Sequence, residues 1–188
     1  MRKLTVFNHL TLDGYFSDKN GEVNWAKSAT DDTEFNAFVS ENASGASEFL
    51  FGRKTYELMA SYWPSPHALE NSPVVAKKMN EAPKTVFSRT LTIGLWNNTK
   101  LIKKALATEV RQMKEASGPD IVVFGSGTLV TQLAQENLID QYQIVVNPIV
   151  LGEGRSMFEG IKKKLSLKLI RTRPFNNGCV FLSYEPIL

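Results

Sequence analysis

The chain has 188 residues, 43% of them hydrophobic, and 22 basic against 19 acidic side chains give a net charge of +3. That length suits one domain with a sizeable core, and so mild and mixed a charge gives no footing for nucleic acid binding. One cysteine, Cys179, and two histidines, His9 and His67, exclude an intramolecular disulfide and supply no ligand set at zinc spacing, so no metal is expected.

The first strand runs from Leu4 to Leu10, and polar Asn8 and His9 interrupt it before a signal-peptide core could accumulate. No apolar run approaches the roughly 20 residues that span a bilayer, so no membrane partner and a cytoplasmic location are expected. Asp13-Gly14 reads as a turn in which Gly14 takes positive φ and Asp13 bonds nearby amides. Trp25, Tyr15 and Phe16 suit either the wall of a planar pocket or plain packing. The first helix opens at Asp31, because Asp31 and Glu34 form a D-x-x-E capping box ahead of Phe35, Phe38 and Val39.

Further strands are expected at Glu48 to Phe51, Lys84 to Phe87, Lys100 to Ile102, Asp120 to Phe124 and Gln143 to Val150. Helices over about Lys54 to Trp63, Lys103 to Ala116 and Thr128 to Glu136 alternate with them. Such alternation predicts an α/β domain whose mainly parallel sheet carries helices on both faces. Three of the eight prolines fall between Trp63 and Pro73, which predicts an irregular surface loop. Lys162, Lys163, Lys164, Lys168, Arg171 and Arg173 carry no interleaved aromatics and read as a solvated face. From Leu165 to Arg173 leucines alternate with polar residues, Asn176-Asn177-Gly178 turns, and Cys179 to Tyr184 runs back, an antiparallel hairpin on one sheet edge. Without repeats or low-complexity segments, residues 1–188 read as a single domain.

Three turns attract attention because each follows an apolar strand. Gly52-Arg53-Lys54-Thr55 places a glycine, two cations and a hydroxyl at a helix start, where unpaired amides favour an anion. A tight βα turn with Arg53 and Lys54 in water has the same spacing. Gly125-Ser126-Gly127-Thr128 exposes consecutive amides to a diphosphate, although Val130 stands where a Rossmann fingerprint needs its third glycine. Ser88-Arg89-Thr90 offers a guanidinium between two hydroxyls, suited to a ribose 2′-phosphate. All three would lie at the carboxyl edge of the sheet, and their conjunction favours a phosphorylated dinucleotide.

The segment Phe51-Gly52-Arg53-Lys54-Thr55-Tyr56-Glu57 resembles the Gly-Arg-x-Thr-Trp/Tyr-Glu stretch of the dihydrofolate-reductase-like superfamily. Within it, Leu10-Thr11-Leu12-Asp13-Gly14-Tyr15, Gly125-Ser126-Gly127 and Pro148-Ile149-Val150-Leu151-Gly152-Glu153-Gly154 with Phe158 resemble the reductase domain of riboflavin-biosynthesis deaminase-reductases. The zinc deaminase half is absent, since no H-x-E with P-C-x-x-C can be drawn. The resemblance implies a dihydrofolate-reductase-like fold, NADPH as cofactor, a homodimer, and a small heterocyclic substrate such as 5-amino-6-(5-phosphoribosylamino)uracil. It places Gly52, Arg53, Lys54 and Thr55 near cofactor phosphates, Ser88, Arg89 and Thr90 near the adenosine ribose phosphate, and Gly125, Ser126, Gly127 and Thr128 under the diphosphate. Trp25, Asp13 and Gly152 would then border the substrate. A dihydrofolate reductase and a non-catalytic nucleotide-binding dimer are the alternatives.

Hydride transfer to a C=N or C=O bond needs an accompanying proton. Asp31 and Asp32 are the candidate donors at the first helix, and Asp13 is a third candidate acid. A capping carboxylate is equally expected at Asp31, and neither histidine is placed near the chemistry by sequence.

Overall fold

The computed structural model describes residues 1–26, 32–45 and 47–187. Eight strands form one sheet in the order β5-β4-β3-β6-β1-β7-β10-β9. They are β1 (Leu4–Thr11), β3 (Ser47–Gly52), β4 (Lys84–Phe87), β5 (Thr99–Ile102), β6 (Asp120–Phe124), β7 (Gln141–Asn147), β9 (Leu167–Pro174) and β10 (Val180–Pro186), and β2 (Tyr15–Ser17) pairs separately with β8 (Arg155–Ser156). The pairings from β5 through β7 are parallel, and β10 joins β7 antiparallel to carry the hairpin with β9. The expected architecture therefore holds.

Helices cover both faces because the central strands are apolar on both. On one face α5 (Leu106–Glu115) and α6 (Gly127–Gln135) bury Val110, Leu129, Val130 and Leu133 against Leu4, Val6, Ile121 and Val123. On the other, α1 (Thr33–Ser44) seats Phe35 and Phe38 against Val145, Phe175 and Phe181. Beside it α2 (Arg53–Tyr62) and α4 (Pro73–Glu81) pack Tyr56 and Met79 with Phe49, Phe51 and Trp96.

Three expectations are corrected. Helix α1 is capped by Asp32 and begins at Thr33, one residue later than read; Asp31 lies outside the described residues. The proline stretch is not irregular: α3 (Pro66–Asn71) and α4 start there, each with proline in its first turn after Ser65 or Ser72. A first-turn amide has no intrahelical acceptor, so proline costs nothing there, and the Ser65 hydroxyl accepts the Ala68 amide. Strand β7 also stops at Asn147, ahead of Pro148, rather than reaching Val150.

Lys84, only 1% exposed, holds the far end of this face. Its ammonium donates to the carbonyls of Asn80, Ala82 and Asn97 and lies 4.4 Å from the Trp96 ring, so a buried charge is matched on every side. The lysines at 162 to 164 are exposed, and Arg173 pairs with Glu34 at 2.9 Å while covering Phe38 and Phe175.

Candidate active site

Strand β6 departs toward β7 through α6, whereas β3 departs the other way toward β4 through α2–α4, so the carboxyl ends of adjacent β3 and β6 form a switch point. Crevices at such points receive ligands in open α/β sheets. Register brings the turns together: Leu50 pairs with Val123 and Gly52 with Phe87, so the Gly52, Ser88 and Gly125 turns emerge side by side.

The two glycine turns are joined by Ser126. Its Oγ accepts the Gly52 amide at 2.8 Å and lies 3.0 Å from Thr55 Oγ1. Gly125 and Ser126 have φ of 57° and 55°, a left-handed pair that is strained for serine and is sustained by those two bonds. On the other side Asn8 Oδ1 accepts the Gly125 amide at 2.7 Å, and Asn8 Nδ2 donates to Met157 Sδ.

The glycines serve this junction in a way spacing does not reveal. A Cβ on Gly52 would lie 2.8 Å from Ser126 Oγ, one on Gly125 2.8 Å from Thr55 Cγ2, and one on Gly127 2.9 Å from Phe16. They let the turns and the β2 ribbon touch one another. What remains for a ligand is the set of helix-start amides at Lys54, Thr55, Gly127 and Thr128, which have no acceptor within their own helices. The positive ends of α2 and α6 thus meet at one place, flanked by the exposed side chains of Arg53, Lys54 and Arg89. Arg53 is also held by Glu57 at 3.3 Å. Ser88 Oγ accepts the amides of Thr90 and Leu91, so that hydroxyl shapes its own turn first.

The three candidate acids are placed differently. Asp13 accepts Thr11 Oγ1 at 2.6 Å and the amides of Leu151 and Gly152, clamping the loop after β1 to the loop after β7. The Thr11 hydroxyl, with those amides outweighing the cost of burial, holds its carboxyl below the usual carboxylate range. Asp32 Oδ1 accepts Glu34 and Phe35 amides, and Oδ2 accepts the Asn177 amide at 2.9 Å. Burial alone would raise that carboxyl, but the amides of Phe35, Asn177, Glu34 and Asn176 outweigh it and the net shift is downward. Both carboxylates are therefore ionised at neutral pH. Trp25 lies in a single helical turn, partly buried, and Gly152 is exposed with φ of 74°.

Sequence reasoning missed His9. It lies on the opposite side of β1 from Asn8, under the first turn of α1, with Phe7 and Phe35 rings 5.9 and 6.1 Å away. Burial drives its pKa down to about 4. The alternation of β1 was legible as a signal, but which face of the strand adjoined the site was not.

A mainly parallel sheet with its antiparallel end hairpin, and two helix starts meeting at its switch point, defines a dihydrofolate-reductase-like α/β protein. The chain belongs to the RibD C-terminal domain family, whose model matches residues 2–181. It is 31% identical over 184 residues to the uncharacterized protein YyaP of Bacillus subtilis (strain 168), covering 98% of this chain and 95% of that protein. The solved putative riboflavin biosynthesis protein from Shewanella sp. PV-4 superposes with a TM-score of 0.74 at 25% identity over 100% of both chains. Dihydrofolate reductase from Enterococcus faecalis, solved with NADP(H), shares the fold at a TM-score of 0.63 and 14% identity, covering 98% of this chain and 96% of that one. Family and fold together support a reductase. Among the described residues no helix is long and apolar enough to cross a membrane, and no three His, Cys, Asp or Glu side chains gather as a metal site.

Proposed function

We propose that this protein is an NADPH-dependent reductase of a pterin- or pyrimidine-like heterocycle, a single cytoplasmic domain that works as a homodimer. The carrying observation is the junction of α2 and α6, where first-turn amides without intrahelical acceptors converge beside Arg53, Lys54 and Arg89. Those groups fit a dinucleotide: the amides of Gly127 and Thr128 suit a diphosphate, and Arg53 and Arg89 suit a 2′-phosphate. When bound, NADPH would supply the hydride. The residues of the chain would anchor its phosphates, exclude water and bring a proton to the substrate.

The cofactor part is tested by titration of fluorescence with NADPH and NADH. NADPH is expected to bind about ten- to a hundredfold more tightly, the equivalent of one desolvated charge-assisted pair. Arg53→Ala or Arg89→Ala should erase most of the difference, and superimposable curves for the two cofactors would sink the idea.

Asp32 and Asp13, ionised and saturated with donors, are poor proton donors, and we assign them to holding α1 and the 151–152 loop in place. Asp31, or water it orders, then carries the donor role. Asp31→Asn is expected to lower turnover by about 10²-fold or more with NADPH affinity nearly intact, using a heterocycle found by NADPH-oxidation screening. Asp32→Asn caps about as well as the parent, so turnover should change little and stability only modestly. A large turnover loss in a fully stable Asp32→Asn protein would return the donor role to Asp32.

A further inference from the structure

Consecutive residues of β1 face opposite sides of the sheet, and at positions 8 and 9 both sides are polar. Phe7 pairs with Phe124, the last residue of β6, so Asn8 and His9 extend past that strand end, level with the Gly125 turn that Asn8 holds. His9 is partly accessible, walled by Phe7 and Phe35, and among the described residues its hydrogen-bonding neighbour is the Asn147 amide, 3.4 Å from Nδ1.

The surroundings of Asn147, itself 2% exposed, fix where the imidazole proton sits. Asn147 Nδ2 donates to the Leu10 carbonyl at 3.0 Å and the Val145 carbonyl at 3.1 Å, while Oδ1 faces the Cys179 thiol at 3.5 Å. Turning the amide over would set its oxygen against two carbonyl oxygens, so the amino group is the side that faces His9. Both Nδ2 hydrogens are committed to those carbonyls and an amide nitrogen cannot accept, so a hydrogen on Nδ1 would face no acceptor, and the hydrogen of the neutral ring is on Nε2. Nε2 has no partner among the described residues. The aromatic walls and the burial that keep the ring neutral also leave it as an N–H donor without charge.

We propose that His9 Nε2–H is a substrate-recognition donor, reading a carbonyl oxygen of a neutral heterocycle held beneath the first turn of α1. The proposal rests on the reductase reading above. A neutral donor selects acceptor atoms and gains nothing from a cationic amidine, so lactam-type rings are favoured over protonated diaminopyrimidines. Asn147 is the positioning residue, acting through the tautomer it imposes.

The test uses imidazole nitrogen NMR of the full chain, with His67→Gln to assign the two rings, followed by addition of NADPH and of uridine, dihydrofolate or 2,4-diaminopyrimidine as probes. His9 should be neutral and Nε2-protonated at pH 7, and a carbonyl-bearing probe should move Nε2 while 2,4-diaminopyrimidine does not. His9→Phe should weaken binding of the responding probe by about tenfold or more, with NADPH affinity unchanged, and His9→Gln, which keeps a donor near Nε2, should recover most of it. A charged or Nδ1-protonated ring, an Nε2 unmoved by every carbonyl-bearing probe, or full probe affinity in folded His9→Phe overturns the proposal. Failure of the parent protein to bind NADPH overturns the reductase reading and this proposal with it. Tight NADPH binding with an unmoved Nε2 overturns only this proposal.

Discussion

Gly125→Val is expected to lower NADPH affinity by a factor of about 10² and to destabilise the fold by about 3 kcal/mol. Two causes add. A residue at φ of 57° must be left-handed, which is costly for a β-branched side chain, and the new Cβ would stand 2.8 Å from Thr55 Cγ2 and 2.9 Å from Thr55 Oγ1. Relief of either contact moves α2 away from α6, and the amides that converge there no longer share one ligand. The mechanism is separable by a double-mutant cycle with gentler changes. Gly125→Ala keeps the backbone cost and the contact, and Thr55→Ser removes the methyl while keeping a hydroxyl for Ser126. In the Thr55→Ser background Gly125→Ala should cost about 1 kcal/mol less than in the parent, read from urea midpoints. Strictly additive costs would show that Thr55 is not in the way.

A second large effect is expected on acidification. His9 has a folded pKa of about 4 against an ordinary value of 6.5, so between those limits the unfolded chain takes up a proton that the folded chain refuses. Stability therefore falls as pH drops from 6.5 to 4, by up to about 3 kcal/mol at roughly 1.4 kcal/mol per pH unit, and His9 contributes no slope above that window. Asp13 and Asp32 act lower on the scale. Their carboxyls are held below the ordinary 3.8, so their contribution is present above that value and is lost as pH falls through the depressed folded values. Urea unfolding at pH 7 and pH 4.5 should show the fall in the parent protein and a flatter dependence in His9→Phe. Equal slopes in the two proteins would mean that His9 is not held neutral.

The strands that carry the fold were legible because a fully buried parallel strand needs an unbroken apolar run and a parallel crossover needs a helix. Lys84 to Phe87 and Asp120 to Phe124 coincide with β4 and β6, and Glu48 to Phe51 falls one residue short of β3 at each end. The three turns that carry glycine, hydroxyl and guanidinium groups were legible as the ends of those apolar strands, and the register sets them side by side. Local signals gave out where two neighbours offered the same chemistry. The D-x-x-E spacing favoured Asp31 as the cap, and the structure uses Asp32, which is also tied to a distant partner, the Asn177 amide of the β9–β10 turn. Prolines at 66 and 73 were read as breakers although each follows a serine, a good N-cap after which proline readily begins a helix.

Composition and periodicity alone thus determined an α/β sheet with covered faces, its end hairpin and the residue types that gather at its carboxyl edge. Tertiary structure decided what those residues touch. The Gly52 and Gly125 glycines are required because two turns 73 residues apart in sequence are pressed together, so that a Cβ on either would strike Ser126 or Thr55. His9 became part of the site only when β6 ended beside it and α1 closed over it with Phe35. Strand order and crossover direction set those contacts, and they arise from the packing of distant apolar faces, which no local window of the sequence contains.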